Sequence, residues 1–312
     1  MRLSQISPSD RLSQLAIEVF LQNAPIALDL EWFSTKGNSG SLQDSREGES
    51  ADPWRSVNQS TSGTKPTITE TPKTKMILAY EAIYDIIYKQ RGFDVGQVLE
   101  TQLKLETLKK ARFFQKTIFT GDNAANSKHP DGFANLDGAS QTITPTDPGI
   151  FLPGNSDSVI AANQEAFMYL LELLEAIPFP LVHLYVPNVM TNWMIAVGKR
   201  LGFYEDYKTP EQELPKIGKA ILRGCGYDES GNSILDFNEE LGAHTKTASF
   251  YAVVHGEEVN VSAQTSQGLV ITFPGVNGNF ESANANLDCA IHRTDPKALW
   301  KLKGFAKEAA GQ

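Results

Sequence analysis

Apolar residues between positions 94 and 119 fall at Val95, Val98, Leu99, Leu103, Leu108, Ala111, Phe114 and Ile118, mostly three or four apart with Lys and Glu between them. That spacing predicts one long amphipathic helix, a rod of roughly 35 to 40 Å. Thr120-Gly121 is expected to stop it, because glycine takes the left-handed backbone cheaply. A second helix is predicted over Ser158–Ile177, with Ser158 as its cap and Pro178 ending it. Asn188 is expected to cap a third, VMTNWMIAVGKRLG, closed at Gly202, and residues 10–23 have a loosely helical pattern. MILAYEAIYDIIYKQ (76–90) reads as a strand passing into a short helix, and LVHLYVP alternates like a buried strand. Beyond it KAILRG, SILDF, ASFYAVVHG, EVNVSAQ, GLVITFP, LDCAIHR and ALWKLKGF are strand-like. Helices first and strands later point to an α+β fold rather than a doubly wound parallel sheet.

Residues 34–74 break this regularity. Ser, Thr, Gly, Pro and charge dominate, with Trp54, Val57 and Ile68 as apolar anchors and Trp32 just before. A loop of that length inside a compact domain is either functional or a linker. Tryptophans are costly to leave in water, and TKPTITETPKTK has the alternation of an extended strand. An arm reaching for another molecule satisfies both facts; a flexible linker is the alternative.

The 312 residues are 41% hydrophobic, enough for a real core, and carry a net charge of −9. That balance argues against a protein that grips nucleic acid by neutralising phosphates. Cys225 and Cys289 lie far apart in no paired motif, so neither a disulfide framework nor a zinc knuckle is suggested. The N-terminus lacks the apolar core of a secretory signal, and the longest apolar run, AIPFPLVHLYVP (176–187), is too short and proline-broken to span a membrane. A soluble protein made in the cytoplasm is expected.

Catalytic motifs are absent: the sequence has no GxxxxGK[ST], GxGxxG, GxSxG, HExxH or CxxC. His129, His183, His244, His255 and His292 are scattered, and His183 sits in a strand-like run that suits a structural histidine. The one loop rich in suitable side chains follows the long helix, FFQKTIFTGDNAANSKHPDGF (113–133). Asp122, His129 and Asp131 are the residue types of a metal or general-base site, yet their spacing fits no calcium loop. Gly121, Pro130 and Gly132 are equally what a tight connection requires. The structural reading makes Gly121, Asp122 and Gly132 a turn; the catalytic alternative is a metal-dependent hydrolase using Asp122, His129 and Asp131.

Taken in order, these parts resemble the major capsid protein of tailed bacteriophages, whose fold encapsulins share. The likeness is one of layout: an arm, an extended region over Trp32–Lys75, a spine helix ending in IFTGD (118–122), then PDGFANL (130–136). AANQEAFMYLLELL, a strand, PNVMTNWMIAVGKRLG, and the late strands ASFYAVVHG and LDCAIHRTDPKALWKLKGF complete it.

The resemblance implies an N-terminal arm (1–29), an extended loop (30–77), a peripheral domain (78–157) with its spine helix at about 94–119, an inserted axial domain (158–286), and returning peripheral strands (287–312). It implies a shell of pentamers and hexamers around double-stranded DNA, located in the virion and assembled in the host cytoplasm, with no catalysis and no cofactor. Phe20, Trp32, Trp54, Val57 and Ile68 are expected to contact neighbouring subunits. An arm starting directly at Met1 implies a separate scaffolding protein or unaided assembly; portal and decoration proteins are further expected partners. Some relatives crosslink a loop Lys, a role open here to Lys36 or Lys65. An encapsulin-like compartment that packages an enzyme is the alternative shell.

Overall fold

A computed structural model of the chain describes residues 2–35, 39–45, 68–85, 91–92, 95–136, 141–145, 149–154, 156–209, 212–256, 260–277 and 280–307. Three helices open it: α1 (Leu3–Ile6), α2 (Arg11–Asn23) and α3 (Ile26–Asp29). The Asp10 carboxylate accepts the Ser13 amide at 3.0 Å and so satisfies a donor that the start of α2 leaves orphaned. Ala16, Ile17 and Phe20 then share one buried face. After β1 (Glu31–Ser34), β2 (Ser39–Ser45) and β3 (Ile68–Thr74) pair antiparallel from Ser39 with Thr74 to Ser45 with Ile68. A single residue, Lys75, joins this ribbon to β4 (Met76–Asp85).

The long helix α4 (Val95–Thr120) has 26 residues, about 39 Å at the usual rise per residue. Leu99, Leu103, Thr107, Ala111, Phe114 and Ile118 are buried along it. Their spacing of three or four makes a continuous stripe, which α2 and β4 cover.

The rest of the chain runs through β5 (Gln141–Ile143), β6 (Gly149–Ile150), α5 (Asp157–Glu175), β7 (Val182–Val186), α6 (Asn188–Leu201), β8 (Tyr204–Lys208), β9 (Glu213–Ile217) and β10 (Ala220–Gly224). It ends with β11 (Glu239–Leu241), β12 (His244–Val253), β13 (Val261–Thr265), β14 (Leu269–Asn277), β15 (Phe280–Arg293) and β16 (Leu299–Ala306). One sheet has the order β1-β13-β15-β14, with β4 also on β15; the other has the order β5-β16-β12-β7-β10-β9-β8, with β11 on β12 and β6 on β16. The long strand β15 unites the first sheet by pairing β13 with Ala290–Arg293 and β14 and β4 with the residues before them. Phe167, Leu170 and Leu174 of α5 and Met190, Met194 and Val197 of α6 are buried in the common core.

Local details differ from expectation for identifiable reasons. Ser156 rather than Ser158 caps α5, its hydroxyl accepting the Val159 amide at 3.4 Å. Asn188 lies inside α6 and caps nothing, since its side-chain amide donates to the Gly226 carbonyl at 2.7 Å and accepts the Gly226 amide at 3.0 Å. Gly202 ends α6 at φ 77°, the left-handed closure expected there. SILDF is not a strand, Ser233 forming only an isolated bridge to Tyr227. The strand part of MILAYEAIYDIIYKQ is β4; residues 86–90 lie outside the described residues.

Candidate assembly surface and the corner after the long helix

The chain's first residues lie on its own body. Phe20 and Trp32 are completely buried. The Phe20 ring meets Phe114 of α4 at 5.2 Å and the Trp32 ring meets it at 6.4 Å. The Trp32 indole N–H donates to the Ala27 carbonyl at 2.9 Å, so its polar edge is satisfied as well. This corrects the expectation that Phe20 and Trp32 contact neighbouring subunits: the buried stripe of α4 already shelters both, which leaves neither side chain available to another molecule. Trp54, Val57, Lys36 and Lys65 lie outside the described residues; of Ile68, the structure gives the backbone pairing with Ser45 at the far end of the ribbon.

Exposed apolar side chains instead gather on β4 and its partner. Ile77 is 67% exposed and Ile83 48%, while Tyr80 and Ala82 on the alternate face are buried. Phe280, 51% exposed, lies opposite Asp85 in the β15 register and therefore points to the same side as Ile77 and Ile83. The sequence held the signal: in MILAYEAIYD both faces of the strand are apolar, more than one core contact needs.

After α4 the backbone doubles back. Gly132 donates its N–H to the Gly121 carbonyl at 2.9 Å, and Phe133 and Ala134 donate to Ile118 and Phe119 at 2.7 and 3.1 Å. These bonds satisfy carbonyls that a helix end leaves open. Gly121 has no left-handed φ, contrary to expectation. Glycine is required by space: a Cβ there would stand 2.3 Å from the Pro130 carbonyl oxygen, and one on Gly132 would stand 2.6 Å from that of Thr117.

The corner's polar groups are turned inward. One Asp122 oxygen accepts the Ala124 and Ala125 amides at 2.9 and 3.0 Å, and Asp131 accepts the Asn123 amide at 2.9 Å. His129 Nε2 sits 3.2 Å from the Asn126 side chain, and its ring packs edge-on against Phe113. Asp122, His129 and Asp131 thus share a loop while turning to separate partners, the two carboxylates to backbone amides and the imidazole to Asn126 and Phe113. Among the described residues no three His, Cys, Asp or Glu side chains gather where an ion could be held.

A buried polar knot ties the opening helices to the second sheet. Asp29, at the end of α3, is ion-paired with Arg223 of β10 and accepts the Tyr185 phenol of β7 at 2.9 Å. His255 Nε2 lies 2.9 Å from the same phenol oxygen, and the His183 ring is 4.7 Å from that of His255. The single phenol proton goes to Asp29, so His255 must be the donor in its contact. Burial, then the neighbouring His183 and Arg223, hold the His255 imidazole well below its ordinary range. Burial also lowers His183, more than Asp29 raises it.

No protein-family model and no curated protein matches the sequence. Solved structures do match its fold. A holo encapsulin complex from Synechococcus elongatus aligns at a TM-score of 0.61 and 11% identity, over 93% of this chain and 90% of that one. A virus-like particle from Pyrococcus furiosus aligns at 0.56 and 9% identity, over 94% and 97%. The capsid of a native GTA particle aligns at 0.55 and 13% identity, over 92% and 90%. The chain therefore has the major capsid fold of tailed bacteriophages that encapsulins share, as the layout of its sequence implies.

Proposed function

We propose that the chain is the subunit of a closed icosahedral shell, assembling through pentamers and hexamers around phage double-stranded DNA. The observation that carries this reading is the β2–β3 ribbon, which pairs with no strand of either larger sheet among the described residues and runs through Lys75 into the strand bearing exposed Ile77 and Ile83. A two-stranded ribbon is marginal alone, and its open edges together with an apolar face suit burial against further copies of the chain. Head-to-tail contacts of that kind close into rings. The shell fold seen in the encapsulin and GTA particles supports the same reading.

In this proposal the long helix with the sheet of β4, β13, β14 and β15 forms the peripheral domain, while α5, α6 and the sheet of β7 to β12 with β16 cluster round the capsomer axis, so that residues 261–286 and 299–306 change sides relative to the bounds expected from the sequence; the corner at Gly121, Asp122 and Gly132 is structural. The protein acts without catalysis or cofactor, resides in the virion, and works with a separate scaffolding protein, a portal and decoration proteins. The likeness to the holo encapsulin complex favours one second reading, a compartment shell that packages a protein cargo. Electron micrographs of the purified protein, with and without a scaffolding partner, test assembly: closed shells are expected, and a persistent monomer in every condition contradicts it. Nuclease-protected DNA inside the particles supports the phage reading, and a co-purifying enzyme the compartment.

A further inference from the structure

The root of the ribbon is built around a buried ammonium group. The Lys75 side chain is 1% exposed, and burying a charge there costs heavily unless it is paired. Its Nζ donates to the Thr35 carbonyl at 2.8 Å and stands 3.6 Å from a carboxylate oxygen of Asp288. Thr35 is the residue from which the chain leaves β1 towards the ribbon, and Lys75 is the residue by which it returns to β4. One cation thus touches both legs where they meet the body.

Asp288 is itself fixed. Thr265 Oγ1 donates to it at 2.9 Å, the Ser266 amide at 3.1 Å, and the Ser266 hydroxyl adds a further bond. Burial works to raise this carboxyl, and the Ser266 and Thr265 bonds with the Lys75 charge override it and hold it below the usual carboxylate range. The Thr35 amide also bonds the Thr265 carbonyl at 2.9 Å, so β1, β13, β15 and the ribbon's return leg converge on one cluster.

We propose that the Lys75–Asp288 pair is a latch that fixes the direction in which the β2–β3 ribbon leaves the body, and that breaking it lets the ribbon swing about residue 75. Pairing within the ribbon and within β4–β15 leaves residue 75 as the short link between two stiff segments on the return leg, which is where a hinge belongs. The latch is a property of the single chain; its use in presenting the ribbon to a neighbour rests on the shell reading.

Spin labels at Gln43→Cys in β2 and Lys104→Cys in α4 read the ribbon's direction in the soluble full-length chain, whether or not copies assemble. Cys225 and Cys289 are buried with thiols pushed up by burial, which keeps the labels off them. The unsubstituted pair is expected to give one narrow distance distribution. Lys75→Met/Asp288→Asn, which removes both charges, should broaden it at least twofold while the melting of the body is retained, and Asp288→Asn alone should broaden it as much at a lower melting temperature, because it leaves the ammonium without its counter-charge. An unchanged width in a folded variant overturns the latch. Loss of folding in both variants overturns it too, since it would make the pair part of what holds the body together. Failure of the particles to form, with the broadening present, would count against the shell reading only.

Discussion

The Trp32 ring stacks on Phe114 at 6.4 Å with 23° between their planes, and Phe20 closes on the same phenylalanine from α2. The aromatic residues of the opening segment belong to the subunit's own core. Trp32→Ala or Phe20→Ala should therefore destabilise the single chain by about 3–5 kcal/mol, as large-to-small core substitutions do. Urea unfolding of dilute protein checks this; unchanged stability with impaired assembly would return both residues to the neighbour's surface.

Gly121 and Gly132 leave no room for a methyl group, because the clashing atoms are backbone that cannot rotate away. Gly132→Ala should cost about 1–3 kcal/mol or more, the range of overpacking a close-packed site. Asp122→Asn keeps an acceptor for the Ala124 and Ala125 amides and should cost less than 1 kcal/mol by the usual scale of exposed hydrogen bonds. Both are read from denaturation midpoints.

The buried histidines give acid sensitivity of defined sign. Folding holds His255 and His183 below the ordinary value of 6.5, so the unfolded chain binds their protons first as pH falls. The stability they permit is fully present above pH 6.5 and is lost as the pH drops through 6.5 towards their depressed values. Melting temperature should therefore fall steadily from pH 7 to 5, and His255→Gln should reduce that slope to about half or less while lowering stability at pH 8. A slope unchanged in the variant would place the acid response elsewhere.

The exposed apolar face of β4 should matter for assembly and little for folding. Ile77→Asp with Ile83→Lys changes side chains that are 67% and 48% exposed, so the subunit should lose less than about 1 kcal/mol. Particle yield should drop at least tenfold, measured by light scattering at matched concentration.

The long helix was legible because its stripe repeats at the helical period over many turns, and Gly202 because a left-handed closure needs only local chemistry. Distant partners were not legible. Phe20 and Trp32 looked homeless in sequence, since only the fold brings Phe114 to them. The sequence at Gly121 suggests a left-handed cap, whereas the contact that demands glycine comes from Pro130 across the corner. SILDF has a strand's composition, yet its start forms only a bridge at Tyr227 and Ser233. The outward face of β4 was present in the alternation of Ile77 and Ile83, and so was the general layout of the fold, carried by the order of elements rather than by any catalytic motif.

A shell requires copies of this chain to close on one another, and the mass of the purified protein in solution tests that most directly. Analytical ultracentrifugation should show a fast-sedimenting population of uniform closed particles, depleted by the Ile77→Asp/Ile83→Lys variant. A single species at the 34.3 kDa of one chain, at every protein and salt concentration and with a scaffolding partner present, would contradict it.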